Sequence, residues 1–416
     1  MGRLLRHRDA RLYLLGQSLS TVGDSALWLA MGIWVKILTG SSSEAGLVFF
    51  AFTAGLVLAP VTGLIADRLR RRPLLIGANL GSALLVCALL AVRGQPELWL
   101  VYLVMFGYGA LNSLISSAQT ALLAVMLPPD LLGEANSVLQ MAAMGLRVVS
   151  PLLGAGLLAW VGPAPVVLLD AGTFLAAAAC LAALRLREPR PAPAETRWQA
   201  EVTAGIRHIG RTEALRRLLV TGVIALLVFG FFETVPFAVV GQGLHRPPAF
   251  LGVVEALVGV GALGGGALAT PLMRRVGERV LMVLALLIAG TACLLLIPSS
   301  LPVVLAAAGL LGLAIVWFNV GSITMIQRLT AASLLGRVDA ALNVAITVPQ
   351  VISIATGAAL IAVVNYRVLL VVMAAVIMAS ALYLAGPRRS ARATPAATPA
   401  ATTAASAAAP ALPDEG

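Results

Sequence analysis

Two acidic residues lie inside long apolar segments of the sequence. Asp24 is near the centre of an apolar segment, residues 12–38, and Glu233 lies inside another, residues 218–240. A carboxylate at the depth of a bilayer is costly, so it usually faces a cavity and serves a function. These acids, one in each half of the chain, therefore indicate a membrane protein that handles protons or cations. Both are candidate proton-coupling residues.

The residues around Asp24 form a pattern at helical spacing. Gln17, Thr21, Asp24 and Trp28 follow one another by three or four positions. This spacing places them on one face of a helix, and the polar and aromatic character of that face predicts that it lines a central cavity. The alternative is that Asp24 is a structural acid, hydrogen-bonded to a neighbouring helix.

Glu233 has a different neighbourhood. Phe229 lies one turn before it, Phe232 is adjacent, and Pro236 follows three residues later. The proline should loosen the helix and would permit bending during a transport cycle. The alternative is that Glu233 lies near the outer interface and is simply hydrated.

Polar residues recur on three further apolar segments. Each of them would be able to contact a substrate, although hydrogen bonding between helices is the commoner use of such residues in membranes. They are Asn112, Ser116 and Gln119; Asn319; and Asn343, Thr347 and Gln350. Gln140, Phe229 and Phe232 are further candidates to line a substrate cavity. Asp170 is expected to be structural, and Glu255 receives no role.

The composition explains why these segments are read as membrane spans. The chain has 416 residues, of which 60% are hydrophobic and 11% are charged, against about 25% charged residues in soluble domains. The net charge of +11 comes largely from arginines in short loops between apolar runs. We therefore assign those arginines to membrane topology and expect no nucleic-acid partner.

The sequence carries no pattern for a metal, a cofactor or an enzyme active site. The three histidines are isolated, and no CxxC pair is present. The run Gly259–Gly264 matches G-x-G-x-x-G but lies within an apolar segment, where close helix packing explains it better than nucleotide binding. No nucleophile–base arrangement is evident, so we expect a protein that is not an enzyme and needs no cofactor.

Twelve segments are long and apolar enough to cross a bilayer as helices. We therefore predict an all-α polytopic membrane protein with twelve transmembrane helices in two six-helix, pseudo-symmetric bundles. The predicted spans are residues 12–38, 44–66, 73–93, 98–126, 135–160, 164–185, 215–240, 249–272, 280–298, 301–327, 337–363 and 366–385.

The loops between these spans alternate in charge. One set is rich in arginine, as in residues 68–72 and 185–217, and the other set is nearly free of it. The positive-inside rule then places both termini in the cytoplasm, which agrees with an even number of spans. The first span is too long for a cleavable signal and should remain as an anchor. We expect a multi-pass protein of the plasma (inner) membrane of a prokaryote.

The chain contains an internal repeat. Residues 63–72 after the second span correspond to residues 266–275 after the eighth, and residues 131–133 correspond to 334–336, both at an offset of 203 residues. This predicts two bundles in the same orientation. The expected divisions are 1–186 for the first bundle, 187–214 for a cytoplasmic linker, 215–386 for the second bundle and 387–416 for a disordered Ala/Thr/Pro-rich tail.

The loop after the second span reads Gly63-x-x-x-Asp67-Arg68-x-Arg-Arg71-Arg72. It resembles the signature of the major facilitator superfamily. The resemblance implies that the acid and the arginines, here Asp67 and Arg71, form a cytoplasmic latch that stabilises an outward-open state. The second copy has Thr270 where the acid would be.

Three stretches narrow the resemblance to a branch of exporters of drugs, macrolides and siderophores, including the enterobactin exporter. They are residues 11–24, residues 127–137 and residues 205–209. The branch implies proton antiport. The antiporter motif of the fifth helix differs here, because Ser150-Pro151 stands where the family has Gly-Pro.

Arg147 is the one arginine deep in an apolar span, on a stripe with Gln140 and Pro151. Its guanidinium must meet an acid, a carbonyl group or an anionic substrate. Asp24 is the leading partner, because helices 1 and 5 both border the central cavity in the family that the chain resembles. Structural pairing and a role in coupling both remain open.

These observations favour a secondary exporter, expected to be monomeric, that exchanges an amphipathic small molecule for protons by alternating access across the bilayer. One alternative keeps the fold but makes the protein an importer or facilitator of a specific metabolite. A second alternative is a receptor-like member of the fold that transports nothing.

Overall fold

The computed structural model describes residues 7–127, 129–186, 203, 206–207, 209–210, 212–298, 300–330 and 335–386. Within the helices, the side chains of Asp67, Arg147 and Asn343 are outside this description. Most of the predicted linker and the whole predicted tail after residue 386 also lie outside the described residues, so both remain predictions.

The described chain is helical throughout and contains no strand. The helices corresponding to the twelve spans are α1 (Arg8–Thr39), α2 (Ser42–Leu56 followed by Ala59–Arg68), α3 (Arg71–Cys87), α4 (Leu98–Met126), α5 (Pro129–Trp160), α6 (Pro163–Ala182), α7 (Glu213–Phe229), α8 (Leu251–Val276), α9 (Glu278–Leu295), α10 (Leu301–Leu329), α11 (Leu335–Val363) and α12 (Tyr366–Ala385). In the described chain, eleven spans are long and apolar enough to cross a membrane, and the two segments of α2, bent by 44°, make twelve when counted together. The predicted fold class is confirmed.

Two of the predicted spans contain breaks that the hydrophobic pattern did not reveal. The second segment of α2 has Pro60 in its first turn, and a proline cannot donate the backbone hydrogen bond that would continue the preceding turn. After Phe229, α7 passes into a 3₁₀ turn (Gly230–Glu233), a short helix (Val235–Ala238) and a π turn (Val239–Gly243). The seventh span is therefore not the single uninterrupted helix that residues 215–240 suggest.

The packing of the helices repeats between the two halves, α1–α6 and α7–α12. In the first half, α1 packs on α5 and α6, α2 packs on α4, and α3 packs on α4 and α6. In the second half, α7 packs on α11 and α12, α8 on α10, and α9 on α10 and α12. Each of these pairs in the first half corresponds to a pair in the second half whose helix numbers are higher by six. The halves meet where α2 packs on α11 and α5 packs on α8, which are again equivalent pairs.

An arginine contact follows the same repeat. Arg72, the second residue of α3, donates from Nε to the carbonyl oxygen of Leu181 (2.9 Å) and from Nη2 to that of Ala182 (2.6 Å). Arg279, the second residue of α9, donates from Nε to the carbonyl oxygen of Leu384 (2.7 Å). The acceptors Leu181 and Leu384 are 203 residues apart, which is the offset of the sequence repeat, whereas the two arginines are 207 residues apart and correspond by their position in the helix. In both halves the arginine donates to carbonyl groups in the last turn of a helix, where few backbone N–H groups are available.

The two ends of the helix bundle differ, and we name them by their loops. The Arg-rich end is where α1 begins and α2 ends; the Arg-poor end is where α1 ends and α2 begins. Near the Arg-poor end the halves make close contacts. Ser43 Oγ of α2 donates to the carbonyl oxygen of Ala358 in α11 (2.5 Å). A Cβ atom added at Gly252 of α8 would lie 2.7 Å from that of Ala155 in α5. The glycine thus permits a backbone approach that a larger residue would prevent.

Candidate functional site

A cavity of about 760 Å³ runs from the middle of the bundle toward the Arg-rich end. Its walls come mainly from α1, α4 and α5, and one residue of α8, Glu255, contributes from the second half. The lining residues that were candidates on sequence grounds are Gln17, Thr21, Asp24, Trp28, Asn112, Ser116, Gln119 and Gln140. The structure therefore brings the polar faces of three separate helices together around one space.

Asp24 lies at the inner part of this cavity and is held by two hydroxyl groups. Tyr108 of α4 donates a hydrogen bond to Oδ1 at 2.6 Å, and Ser20 lies 3.5 Å from Oδ2, one turn earlier on α1. Donors of this kind stabilise the ionised form of a carboxylate. Among the described residues that line the cavity, none carries a positive charge. The side chain of Arg147 is outside the described structure, so the predicted pair between Asp24 and Arg147 stays a prediction.

A second polar contact spans the cavity nearer the Arg-rich end. Gln119 Nε2 of α4 donates to Gln17 Oε1 of α1. Thr21, on the same face as Gln17, instead donates from its hydroxyl to the backbone oxygen of Gln17 at 2.9 Å. The two glutamines thus connect α1 and α4 directly, whereas the hydroxyl of Thr21 is used within its own helix.

An aromatic layer lies on the Arg-poor side of Asp24. The ring of Trp28 is 4.7 Å from those of both Phe49 and Phe52, measured between centroids. Phe52 contacts Tyr108 at 5.4 Å, and Phe49 contacts Phe237 of the second half at 6.1 Å. Such pairs are favourable beyond the area that they bury. The layer separates the cavity from the Arg-poor end of the bundle.

Glu233 is placed away from Asp24, in a small cavity of about 50 Å³ at the junction of the halves. Glu255 of α8 also lines this space, and the two carboxyl groups interact electrostatically. Because Glu255 lines the large cavity as well, it lies between the two sites. No role for Glu255 was predicted from the sequence, since its position on α8 alone contained no signal for one.

The remaining aromatic candidates line a third, apolar cavity of about 300 Å³ within the second half. Phe229 and Phe232 contact each other there, with ring centroids 5.2 Å apart. Asn319 also lines this cavity and donates from Nδ2 to the backbone oxygen of Ile315 at 3.0 Å. Phe229, Phe232 and Asn319 therefore line one cavity, which is separate from the cavity lined by the polar candidates of the first half.

Some predicted residues do not reach these cavities. Thr347 and Gln350 belong to α11 but line none of the three described spaces, and the side chain of Asn343 is outside the described structure.

The latch motif lies at the Arg-rich end of α2 and is described only in part. Arg68 is exposed, and a Cβ atom added at Gly63 would have no neighbouring atom within 4 Å, so this glycine is not required for close packing. The side chain of Asp67 is outside the described structure. The contact between Asp67 and Arg71 therefore stays a prediction.

Tyr108, which bonds Asp24 and lines the cavity, is a candidate site residue that the sequence reasoning missed. It lies four residues before Asn112, so it shares the face of α4 that carries Asn112, Ser116 and Gln119. That spacing was a usable signal, but a tyrosine in an apolar span is equally consistent with packing.

Among the described residues, no group of three or more His, Cys, Asp or Glu side chains is arranged to hold a metal ion.

The twelve-helix fold, its internal repeat and the central cavity are typical of membrane transporters built from two parallel repeats. The family model for the Major Facilitator Superfamily matches residues 13–275 and 226–413. The chain belongs to the Major Facilitator Superfamily, a family of multi-pass membrane transporters of small molecules.

Curated relatives agree over most of the chain. The MFS-type transporter YfiS of Bacillus subtilis (strain 168) is 25% identical over 376 residues, covering 86% of this chain and 88% of YfiS. The enterobactin exporter EntS of Escherichia coli O127:H6 is 27% identical over 342 residues, covering 81% of each chain.

Solved structures show the same fold at lower identity. A bacterial homologue of the iron transporter ferroportin in its inward-facing state superposes with a TM-score of 0.70 at 18% identity, covering 92% of this chain and 98% of that one. The nucleoside transporter NupG superposes with a TM-score of 0.73 at 9% identity, covering 91% and 99%.

Proposed function

We propose that this protein is a secondary exporter that expels an amphipathic small molecule in exchange for protons, with Asp24 as the coupling acid. The observation that carries the proposal is the position of Asp24 inside a large polar cavity, where Tyr108 and Ser20 hold its carboxyl group. A carboxyl group that is accessible from a cavity and surrounded by helices is suited to alternate between ionised and protonated forms.

The form of the cavity supports amphipathic cargo. Amide and hydroxyl groups line its wall toward the Arg-rich end, at Gln17, Ser116 and Gln119, whereas Trp28 and Phe52 lie at its inner end. A molecule with a polar part and an apolar part would be able to satisfy both surfaces. The enterobactin exporters, at 27% identity or less, are relatives whose direction of transport is outward. We extend that direction to this chain as part of the proposal.

The contacts between the halves indicate which conformation of the transport cycle the structure represents. The positive-inside orientation places the Arg-poor end outside the cell. Ser43 and Ala358 then close the outer side, and the cavity that begins at Asp24 extends toward the cytoplasm. This is the arrangement in which an exporter takes up its cargo.

The exchange then follows because cargo and a proton compete for Asp24. Cargo enters from the cytoplasm while Asp24 is ionised, and the halves rock so that the Arg-poor end opens. A proton from outside binds Asp24 and favours release of the cargo, and the protonated protein returns. Glu233, at the junction of the halves, is a second coupling candidate, because its surroundings change when that junction opens.

The test is efflux from cells loaded with fluorescent amphiphiles and macrolides, measured for the wild type, Asp24→Asn and Glu233→Gln with and without a protonophore. We expect the protonophore to abolish wild-type efflux, and Asp24→Asn to be inactive at normal expression. Efflux by Asp24→Asn equal to that of the wild type would reject Asp24 as the coupling acid. Accumulation of a compound by cells that express the wild type would instead favour an importer.

A further inference from the structure

Asp170 of α6 is a carboxylic acid enclosed by protein. The residue is 0% exposed, and neither carboxyl oxygen has a hydrogen-bond partner within the described structure. The nearby hydroxyl of Thr173 donates to the backbone oxygen of Asp170 (2.8 Å) instead of to its side chain. Within the described residues, an ionised carboxylate in these surroundings would have neither solvation nor a hydrogen bond nor a counter-ion, which is a very unfavourable state.

The position of Asp170 depends on a glycine in α1. A Cβ atom added at Gly23 would collide with Oγ1 of Thr173 and would lie 2.5 Å from Oδ1 of Asp170 and 3.1 Å from its Cα. The absence of a side chain at Gly23 therefore lets α6 approach α1 closely and leaves room for the carboxyl group. Gly23 directly precedes Asp24, so Asp170 reaches the backbone of α1 beside the acid that faces the cavity.

The two acids interact with each other and with one tyrosine. The carboxyl groups of Asp24 and Asp170 interact electrostatically, and Tyr108 interacts with both. Two carboxyl groups that share a low-dielectric site cannot both be ionised at low cost. Their hydrogen bonds then decide which one holds the proton. Asp24 has donors in Tyr108 and Ser20, whereas Asp170 has none in the described structure.

Among the described residues, the other charged side chain that contacts α6 does not lie beside Asp170. On α3, Arg72 binds the carbonyl groups of Leu181 and Ala182 at the C-terminal end of α6, whereas Asp170 lies in the first half of that helix. On α5, the side chain of Arg147 is outside the described structure. The titratable neighbours of Asp170 that the structure describes are therefore Asp24 on α1 and Tyr108 on α4.

We propose that Asp24 and Asp170 form a two-carboxyl proton site, in which Asp170 keeps its proton while Asp24 ionises and is protonated in turn. The site holds one proton when Asp24 is ionised and two when it is not. Asp170 acts as a positioning residue, because its neutral carboxyl group allows Asp24, on the adjacent α1, to carry the one negative charge of the pair. Its role in transport rests on the proposed function, but its protonation does not.

The test is infrared spectroscopy of the purified protein at neutral pH, with aspartate labelled with ¹³C at the side-chain carboxyl. The carbonyl stretch of a protonated carboxylic acid is separate from that of a carboxylate, and the label separates aspartate from Glu233 and Glu255. We expect a label-sensitive band of a protonated acid in the wild type and in Asp24→Asn, and its loss in Asp170→Asn. Asp9→Asn, which changes an acid at the start of α1, should leave the band unchanged.

A wild-type spectrum without such a band, or the same band in Asp170→Asn, would overturn the proposal. If Asp170→Asn does not fold, Gly23→Ala provides a second measurement, because the added methyl group must displace the carboxyl group of Asp170 and so shift the band. An unchanged band in a folded Gly23→Ala protein would count against the site. The infrared measurement needs no cargo. If efflux fails while the band is intact, the proposed function is rejected and the proton site is retained.

Discussion

The hydroxyl of Tyr108 donates a 2.6 Å hydrogen bond to Oδ1 of Asp24 and thereby joins α4 to α1 at the inner end of the cavity. This bond favours the ionised acid, because the donor is matched to a negative charge. Tyr108 is itself buried between Phe52 and Phe174, with ring centroids 5.4 and 5.8 Å away. Its hydroxyl is therefore held in one position by packing, so the donor is in place whenever this conformation forms.

Removal of that hydroxyl should change the pH dependence of transport. In Tyr108→Phe, Asp24 loses a hydrogen bond to its charged form, worth about 1.5–3 kcal/mol, and will hold a proton at higher pH. At about 1.4 kcal/mol per pH unit, the profile of efflux by proteoliposomes should move upward by about one to two pH units. Tyr102→Phe is the matched control, since Tyr102 lies on the same helix and its hydroxyl contacts Glu44 instead. An unchanged profile in Tyr108→Phe would show that the bond does not tune the acid.

The glutamine pair should behave as one unit. Gln17→Leu and Gln119→Leu each remove one partner of the same bond, so each should lower cargo efflux through the loss of a bond worth about 1 kcal/mol. The double variant should be no worse than the more affected single variant, because the shared interaction can be lost only once. Ser117→Ala is the control, as that hydroxyl on the same helix is bonded to the backbone oxygen of Ser113 and Ser117 is not among the described residues that line the cavity. Additive losses would mean that each glutamine contacts cargo independently.

The junction at the Arg-poor end should open when its closest glycine is enlarged. A methyl group at Gly46 would collide with Thr234 and lie 3.2 Å from Ala358 of the second half. In a cysteine-free background carrying Ser43→Cys, we expect Gly46→Ala to increase the rate at which a maleimide labels position 43. Gly77→Ala has no atom within 4 Å of the new methyl group and should not affect labelling. Equal labelling rates in both variants would contradict this account of the junction.

The paired arginine contacts should contribute to stability in both halves. Arg72→Ala and Arg279→Ala each remove a charged donor to carbonyl groups in the last turn of a helix, and each should destabilise the protein by about 1–2 kcal/mol. Thermal unfolding in detergent measures this effect as a lowered midpoint. Arg70→Ala, at an exposed neighbouring position, is the control. A midpoint for Arg72→Ala equal to that of Arg70→Ala would mean that the contact is energetically unimportant.

The sequence was sufficient wherever the hydrophobic pattern alone determines the structure. The predicted spans 98–126 and 366–385 coincide with α4 and α12 to the residue, because each apolar run is bounded by loop residues on both sides. The placement of Asp24 with Gln17 and Thr21 also followed from spacing, since a helix fixes which residues share a face.

What the sequence did not reveal depends on contacts between distant helices. Within the described structure, Asp24 accepts a hydrogen bond from a tyrosine on α4, and no local pattern distinguishes a tyrosine that donates to an acid from one that packs. The enclosure of Asp170 depends on the approach of α6 to Gly23. The break in α2 lies within an apolar run that has the same hydropathy whether the helix is continuous or interrupted. In α7, Pro236 indicated a loosened helix, but not that the interruption begins at Gly230.

The interruption of α7 makes the two halves mechanically unlike. At the repeat offset of 203 residues, α7 is the counterpart of α1, which is one unbroken helix from Arg8 to Thr39. Leu227 stands where α1 carries Asp24, and the helix ends two residues later. Asp24 therefore lies on an unbroken helix, whereas the equivalent helix of the second half is interrupted. We expect a change of shape to deform α7 at residues 230–243 more than α1 around Asp24.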